Sequence, residues 1–177
     1  AGKWQNFFEK EKTKKAYFTL DDKCIVDVDM MHKSEDIFVA QSKTWQAVRL
    51  DYKGGKLAFF AVMPKDGTRV KDLKNNQNLL QDVLSALSLQ KIDLAFPKFD
   101  FSWINENLAS DYKVKDLEVA VTNVGKPEFI KKVVHAARIR VDEEGTEAAA
   151  ATVLGISFRS IILKARPKFE FNHPFLF

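Results

Sequence analysis

Apolar side chains along this chain recur mostly at every second residue or in short unbroken runs, a pattern that predicts a sheet-dominated fold. Residues 15–20 read as a strand closed by Asp21-Asp22. Residues 24–31 alternate apolar and acidic side chains from Cys24 to Met31, which predicts a half-buried strand. Residues 37–40 predict a short edge strand. The runs 45–52 and 57–63 flank Lys53-Gly54-Gly55-Lys56, and a Gly-Gly turn between β-rich runs predicts a hairpin. The second run lacks alternation, so burial on both faces is expected. Leu79, Leu80, Val83, Leu84 and Leu87 recur at helical spacing and predict one amphipathic helix of about three turns. Residues 92–96 resume the strand pattern. Pro97 cannot continue a ladder, so residues 98–103 are expected as a separate strand. Residues 133–141 predict a further strand, and residues 153–162 also read as extended. No internal repeat or low-complexity linker interrupts the chain.

Length and composition narrow this picture. A chain of 177 residues is expected to be one domain with its own core, and 15 Phe suggest that the core is aromatic. The net charge is +4, but 24 acidic residues intersperse 28 basic ones, so no nucleic-acid footprint is expected. The cluster Lys10 to Lys15 contains Glu11 and reads as a solvated turn, not a polyanion site. Cys24 is the only cysteine, which excludes an internal disulfide and a cysteine-based zinc cluster. No run is long and apolar enough to predict a membrane helix. The opening Ala1-Gly2-Lys3-Trp4 carries no signal-peptide pattern.

Candidate catalytic chemistry is sparse. His32, His135 and His173 lie far apart, with no HxxxH or HxH spacing for a metal. Cys24 and His32, weighed as a nucleophile and its base, read more simply as a buried strand cysteine and a turn histidine. The sequence has no G-x-S-x-G, P-loop or G-x-G-x-x-G motif, and Lys53-Gly54-Gly55 is a turn, not a phosphate cradle. No enzyme activity, metal or cofactor is expected.

The unusual stretch is Glu143-Glu144-Gly145-Thr146-Glu147-Ala148-Ala149-Ala150-Ala151-Thr152. Its four alanines are the strongest helix formers, yet the flanking segments read as extended. Small, unbranched side chains fit inside a sheet without clashes, and in water they expose little apolar surface. Such a segment suits two environments.

Glu-Glu-Gly-Thr-Glu followed by four alanines and threonine resembles the hinge of the reactive-centre loop of inhibitory serpins. The resemblance extends through Gly2-Lys3-Trp4-Gln5, Met30-Met31-His32-Lys33-Ser34, Met63-Pro64-Lys65-Asp66-Gly67, Pro97-Lys98-Phe99, Val133-Val134-His135 and Asn172-His173-Pro174-Phe175-Leu176-Phe177, in family order. It covers nearly the whole chain but corresponds to the C-terminal half of a serpin. It therefore implies an α+β serpin fold, β-sheet-rich, with parts of the three serpin sheets, few helices and an exposed loop. Residues 1–177 are expected to be the C-terminal portion of a single serpin domain, with hinge and reactive-centre loop at 143–166. Residues 106–128 do not match the family pattern, and Phe7, Asp29 and Asp51 stand where the family commonly has proline.

By this resemblance Trp4 sits at the top of the main sheet, beneath the point where the loop enters. Lys98 and Glu143 pair at the same point, and His135 lies under the centre of the sheet, where strands must part. The family's fixed distance from the hinge glycine, counted from Gly145, lands on Arg159-Ser160. Arginine before serine is what a trypsin-like protease cuts, because its specificity pocket holds a carboxylate. Phe158 is expected to narrow the choice among such proteases, and Lys164 and Arg166 are the rival positions. The implied function is serine protease inhibition by a suicide-substrate mechanism: cleavage at Arg159-Ser160, a covalent acyl-enzyme, and insertion of the hinge into the main sheet. The implied partner is a trypsin-like serine protease; neither nucleic acid nor membrane is expected, and the native protein is expected to be a monomer. The sequence leaves open whether a polyanion accelerates inhibition. Secretion is the expected localisation, with the cytoplasm as the alternative. A non-inhibitory serpin acting as carrier, chaperone or storage protein is the alternative function, and a truncated, polymerising fragment is a third reading.

Overall fold

The structure is a computed structural model and describes residues 2–65, 67–105, 135–146 and 166–177. The chain divides into a larger unit, Ala1–Phe99 with Val141–Phe177, and a smaller one, Asp100–Arg140. Among the described residues the strands are β1 (Gly2–Lys3), β2 (Lys14–Thr19), β3 (Ile25–Gln41), β4 (Trp45–Asp51), β5 (Ala58–Pro64), β6 (Ser88–Pro97), β7 (Phe99–Asn105), β8 (His135–Val141), β9 (Gly145–Thr146) and β10 (Lys168–Glu170). Two helices, α1 (Val70–Lys74) and α2 (Leu79–Ala86), separate β5 from β6.

A six-stranded sheet of the larger unit, separate from the pairing of β1 with β9, has the order β10-β6-β3-β4-β5, with β2 also paired to β3. Its organiser is β3, which runs unbroken for 17 residues. Two separate strands were expected here, and residues 37–40 were expected at an edge. Instead Phe38 pairs with Arg49 on one side and Leu89 on the other, so this end of β3 is interior. The polar run His32-Lys33-Ser34-Glu35-Asp36 interrupts the apolar pattern but not the ladder, which continues from His32↔Ala95 to Asp36↔Lys91. Backbone pairing depends on N–H and C=O groups that every one of these residues has.

The other end of β3 also departs from expectation. Ile25 is 64% exposed, and Val26 and Asp27 are exposed beside it, while the consecutive Met30 and Met31 are both buried. Ile25 to Val28 pair with β2 alone, as a two-stranded ribbon, and period-2 alternation buries a face only where a second layer covers it. Cys24 is exposed in the turn ahead of β3, not buried in a strand, and His32 lies on β3, not in a turn.

The hairpin β4–β5 forms as the sequence predicts, with Asp51 opposite Ala58 and both Gly54 and Gly55 at positive φ. Its second strand is buried from Ala61 to Pro64, although Leu57 ahead of it is exposed. The single helix expected from Leu79 to Leu87 stops at Ala86, with Leu87 in an extended conformation. The unpredicted α1 buries one side chain, Leu73, so it carries no apolar stripe to signal a helix. Its Asp72 accepts the Arg69 N–H at 3.1 Å and secures the first turn. Pro97 is the last residue of β6 and pairs with Met30; β7 starts separately at Phe99.

Aromatic packing fills the core. Phe96 lies 5.0 Å from Phe171, 5.2 Å from Phe175 and 5.8 Å from Phe59, ring centre to ring centre. Such pairs add about 0.5–1.5 kcal/mol each beyond area burial. A second cluster joins Trp45, Ala47 and Val62 of the sheet to Leu73, Leu79 and Val83 of the helices. In the smaller unit β7 neighbours β8, and Arg138 grips Asp100 through two hydrogen bonds of 2.9 and 2.7 Å.

Candidate functional site around the hinge

The expected hinge begins in a tight turn after Val141. The Asp142 N–H donates to the Gly145 carbonyl at 3.1 Å, and Asp142 Oδ1 accepts the N–H groups of Glu144 at 3.0 Å and Gly145 at 3.2 Å. An aspartate that folds its own backbone in this way is a strong local turn former. The turn delivers Gly145 and Thr146 as β9, antiparallel to β1 with Gly2↔Thr146 and Lys3↔Gly145, and with Val141 opposite Thr146. Glycine is required at 145. Its φ is +154°, and a Cβ there would collide with the Gly2 carbonyl oxygen and lie 2.8 Å from Lys3 Cα.

Trp4 is buried directly beneath. It is 1% exposed, its N–H donates to the Glu144 carbonyl at 2.9 Å, and its indole Nε1 donates to the Asp142 carbonyl at 2.9 Å. Its ring stacks on Tyr52 with centres 4.9 Å apart. The Tyr52 and Thr146 hydroxyl oxygens lie 2.7 Å apart. The Asp142 and Glu144 carbonyls are thus satisfied by a tryptophan far away in sequence, as buried polar backbone requires.

Each acid of the turn has its own partner. Glu143 is buried, accepts the Thr13 hydroxyl at 2.7 Å and pairs with Lys98 Nζ at 3.0 Å. Burial pushes its carboxyl up, but the Thr13 hydroxyl, its own backbone N–H and Lys98 outweigh that and hold it below the usual glutamate value. Glu144 faces outward and meets Lys10 at 2.8 Å; the hydrogen bond and charge of Glu144 raise the Lys10 ammonium above its ordinary value.

Of the residues the sequence singles out, the structure brings together Trp4, Lys98, Glu143, Glu144, Gly145 and Thr146. His135 is the first residue of β8 in the smaller unit, where only its backbone is described. Glu147, Ala148, Ala149, Ala150, Ala151 and Thr152, and with them Phe158, Arg159 and Ser160, lie outside the described residues. So do residues 106–128 and 153–162. Tyr52, Thr13, Lys10 and Asp142 belong to the site and were not singled out. Asp142 had a legible signal, an aspartate opening a turn that ends in glycine. The other three meet the hinge only through long-range folding.

Elsewhere, the basic stretch Lys10 to Lys15 is largely paired within the protein, Lys12 to Glu9 at 2.8 Å and Lys15 to Asp29 at 2.9 Å. His32 Nδ1 faces the Lys12 carbonyl at 3.1 Å, whereas His173 lies between the Asn172 side chain and the Pro64 carbonyl. No group of three His, Cys, Asp or Glu that could hold a metal ion occurs among the described residues. No described helix is long and apolar enough to cross a membrane. The arrangement holds Gly145 and Thr146 on the ladder of β1, above Trp4.

Comparison with known proteins agrees along the whole chain. The family model described as "Serpin (serine protease inhibitor)" matches residues 1–177. The chain is 30% identical to alpha-1-antitrypsin 1-2 of Mus musculus, an alignment covering 99% of this chain and 44% of that one. It is 26% identical to antichymotrypsin-2 of Bombyx mori, covering 99% of this chain and 50% of that one. Among solved structures, human thyroxine-binding globulin complexed with thyroxine superposes with a TM-score of 0.78 at 22% identity, over 99% of this chain and 48% of that one. The chain spans about half the length of the curated relatives it matches.

Proposed function

The chain belongs to the serpin family, and from that premise we propose that the complete protein is a suicide inhibitor of trypsin-like serine proteases. Its sheet-rich architecture with few helices is that of part of a serpin fold. We read residues 1–177 as the C-terminal portion of one domain, with residues 143–166 as hinge and reactive-centre loop.

The reaction in this reading is the protease's own chemistry arrested halfway. The protease serine attacks the Arg159 carbonyl, the amide bond to Ser160 breaks, and the Ser160 nitrogen leaves as an amine after taking up a proton. The protease is then held as an ester on Arg159. The freed segment from Thr146 onward adds to the sheet as a strand and drags the ester-linked protease with it, before water can hydrolyse the ester.

The observation that carries the reading is β9. Gly145 and Thr146 are paired with β1, and Thr146 also with Val141, so the hinge starts on ladder positions. The residues that follow suit that path. From Thr146 to Phe158 there is one charged residue, Glu147, and no proline, so every backbone N–H can join a ladder. In an inserted strand Ala148, Ala150 and Thr152 would share the face of Thr146, and all are small enough to enter a packed interior.

Mixing the complete protein with trypsin tests the proposal. The expected result is a covalent complex that survives denaturing electrophoresis and a cleaved form that melts far above the native one. Digestion with no complex and no rise in melting temperature would sink the inhibitory reading in favour of a carrier, chaperone or storage role.

A further inference from the structure

Nothing in the inhibitory reading calls on Tyr52, a residue at the start of a hairpin turn. We infer that Tyr52 is a positioning residue for inhibition: its hydroxyl latches Thr146 and holds the first rung of the inserting strand in place before the protease arrives. The latch itself stands on geometry, while its consequence for trapping rests on the inhibitory reading.

Gly2 and Thr146 are cross-strand partners in the β1–β9 ladder, so their Cβ directions share a face. Tyr52 covers that face of the rung. Its ring lies over Gly2, where an added Cβ would stand 2.6 Å from Tyr52 Cδ1, and its hydroxyl reaches the Thr146 hydroxyl at 2.7 Å. Glycine at position 2 is what leaves room for the ring. The ring is held in turn by stacking on Trp4 at 4.9 Å and 11°. The Tyr52 backbone bridges to Trp4, and its N–H donates to the Leu57 carbonyl at 3.0 Å. A side chain fixed at ring and backbone presents its hydroxyl at one place, which is the requirement for positioning.

The first rung of a strand is the hardest to form. Backbone ordering and loop closure must precede any ladder bond, whereas each later residue extends an existing edge. With Thr146 latched, insertion after cleavage continues from a rung already made. Without the latch the rung opens more often and must re-form while the ester is being hydrolysed. The balance then moves from trapping toward release, and the rate of cleavage at Arg159 stays unchanged. One net hydrogen bond corresponds to roughly a threefold to tenfold shift in that equilibrium.

The test uses the complete protein in four forms besides the parent. Tyr52→Phe removes the hydroxyl and keeps the ring; Thr146→Val removes the other hydroxyl; Thr146→Ser keeps it; the fourth combines Tyr52→Phe with Thr146→Val. Hydrogen exchange at the Gly145 and Thr146 amides is measured without protease, then the moles of inhibitor consumed per mole of trypsin trapped. Both hydroxyl-deleting singles should speed hinge exchange roughly threefold to tenfold and raise inhibitor consumption. The double variant should go no further, and Thr146→Ser should follow the parent. Unchanged exchange in Tyr52→Phe and Thr146→Val overturns the latch. Faster exchange with unchanged consumption overturns its role in insertion. If the parent itself traps no trypsin, the inhibitory reading falls, and the exchange rates alone decide the latch.

Discussion

Lys98 Nζ lies 3.0 Å from Glu143 Oε2, two residues separated by 45 positions in sequence, and the glutamate side chain is only 6% exposed. The pair ties the segment leading into β7 to the turn from which the hinge departs. Because the lysine end is one-third exposed, the pair contributes only about 1 kcal/mol, which suits a fastening better than a foundation. Thr13, from a third part of the chain, completes the carboxylate's coordination at 2.7 Å.

Glu143→Lys sets like charges side by side and leaves the Thr13 hydroxyl without its acceptor. The mouth of the sheet should loosen, and the complete protein should polymerise more readily than the parent at moderate temperature. Native gels after mild heating measure this. Identical ladders for the two proteins would remove Glu143 from the gating role.

Acid should act on the same fastening. The folded Glu143 titrates below its ordinary value of 4.5, so its contribution is complete above 4.5 and fades as the pH falls through the lower, folded value. The parent's melting temperature should therefore drop more steeply on acidification below 4.5 than that of Glu143→Gln, whose neutral amide does not titrate. Parallel curves for the two proteins would show that the pair does not sense pH.

Gly145→Ala tests the turn. The new Cβ would collide with the Gly2 carbonyl, where the neighbouring atoms are backbone and cannot move cheaply, and the backbone angle is one that L side chains rarely adopt. The expected loss is roughly 1–3 kcal/mol, concentrated at β9, with faster exchange at Thr146 than in the parent. A variant with parent-like melting and exchange would mean that β9 relaxes around the methyl group.

Specificity should rest on one side chain. Arg159→Ala should abolish trypsin inhibition, because the guanidinium that pairs with the protease's pocket carboxylate is gone. Arg166→Ala should leave inhibition nearly unchanged, since Arg166 is turned toward Asp93 at 3.7 Å and is only partly exposed. The opposite pattern would move the scissile bond to Arg166.

Thr146→Arg should separate cleavage from trapping. Thr146 is half-buried beside the Tyr52 hydroxyl, and when the rest of the hinge inserts over it a guanidinium there must shed its remaining water, at a cost of up to several kcal/mol before relaxation. Trypsin should cut the variant as fast as the parent yet form no complex that survives denaturation. A variant that still traps trypsin would show that a charged side chain at residue 146 does not impede insertion.

What the chain declares locally was legible in its residues. Gly54-Gly55 announces a hairpin because both positions need positive φ, and Pro97 ends its strand because it lacks an N–H. The suitability of residues 146–158 for a ladder is likewise a property of the residues themselves, since none is proline and only Glu147 is charged. Glu143, Lys98 and Trp4 were readable only through resemblance, as nothing in their own surroundings marks them.

Tertiary structure decided the rest, because the deciding contacts join residues far apart in sequence. Whether β3 is one strand or two was settled by β6, whose backbone pairs with the polar run 32–36 regardless of its side chains. Alternation at residues 24–31 could not say that Ile25 to Val28 have only β2 beside them. The Trp4 indole finds the Asp142 carbonyl 138 residues on, and the Tyr52 hydroxyl finds Thr146 across 94. A hydrogen bond needs its partner within about 3 Å, and only the folded chain brings residues so distant in sequence to that range.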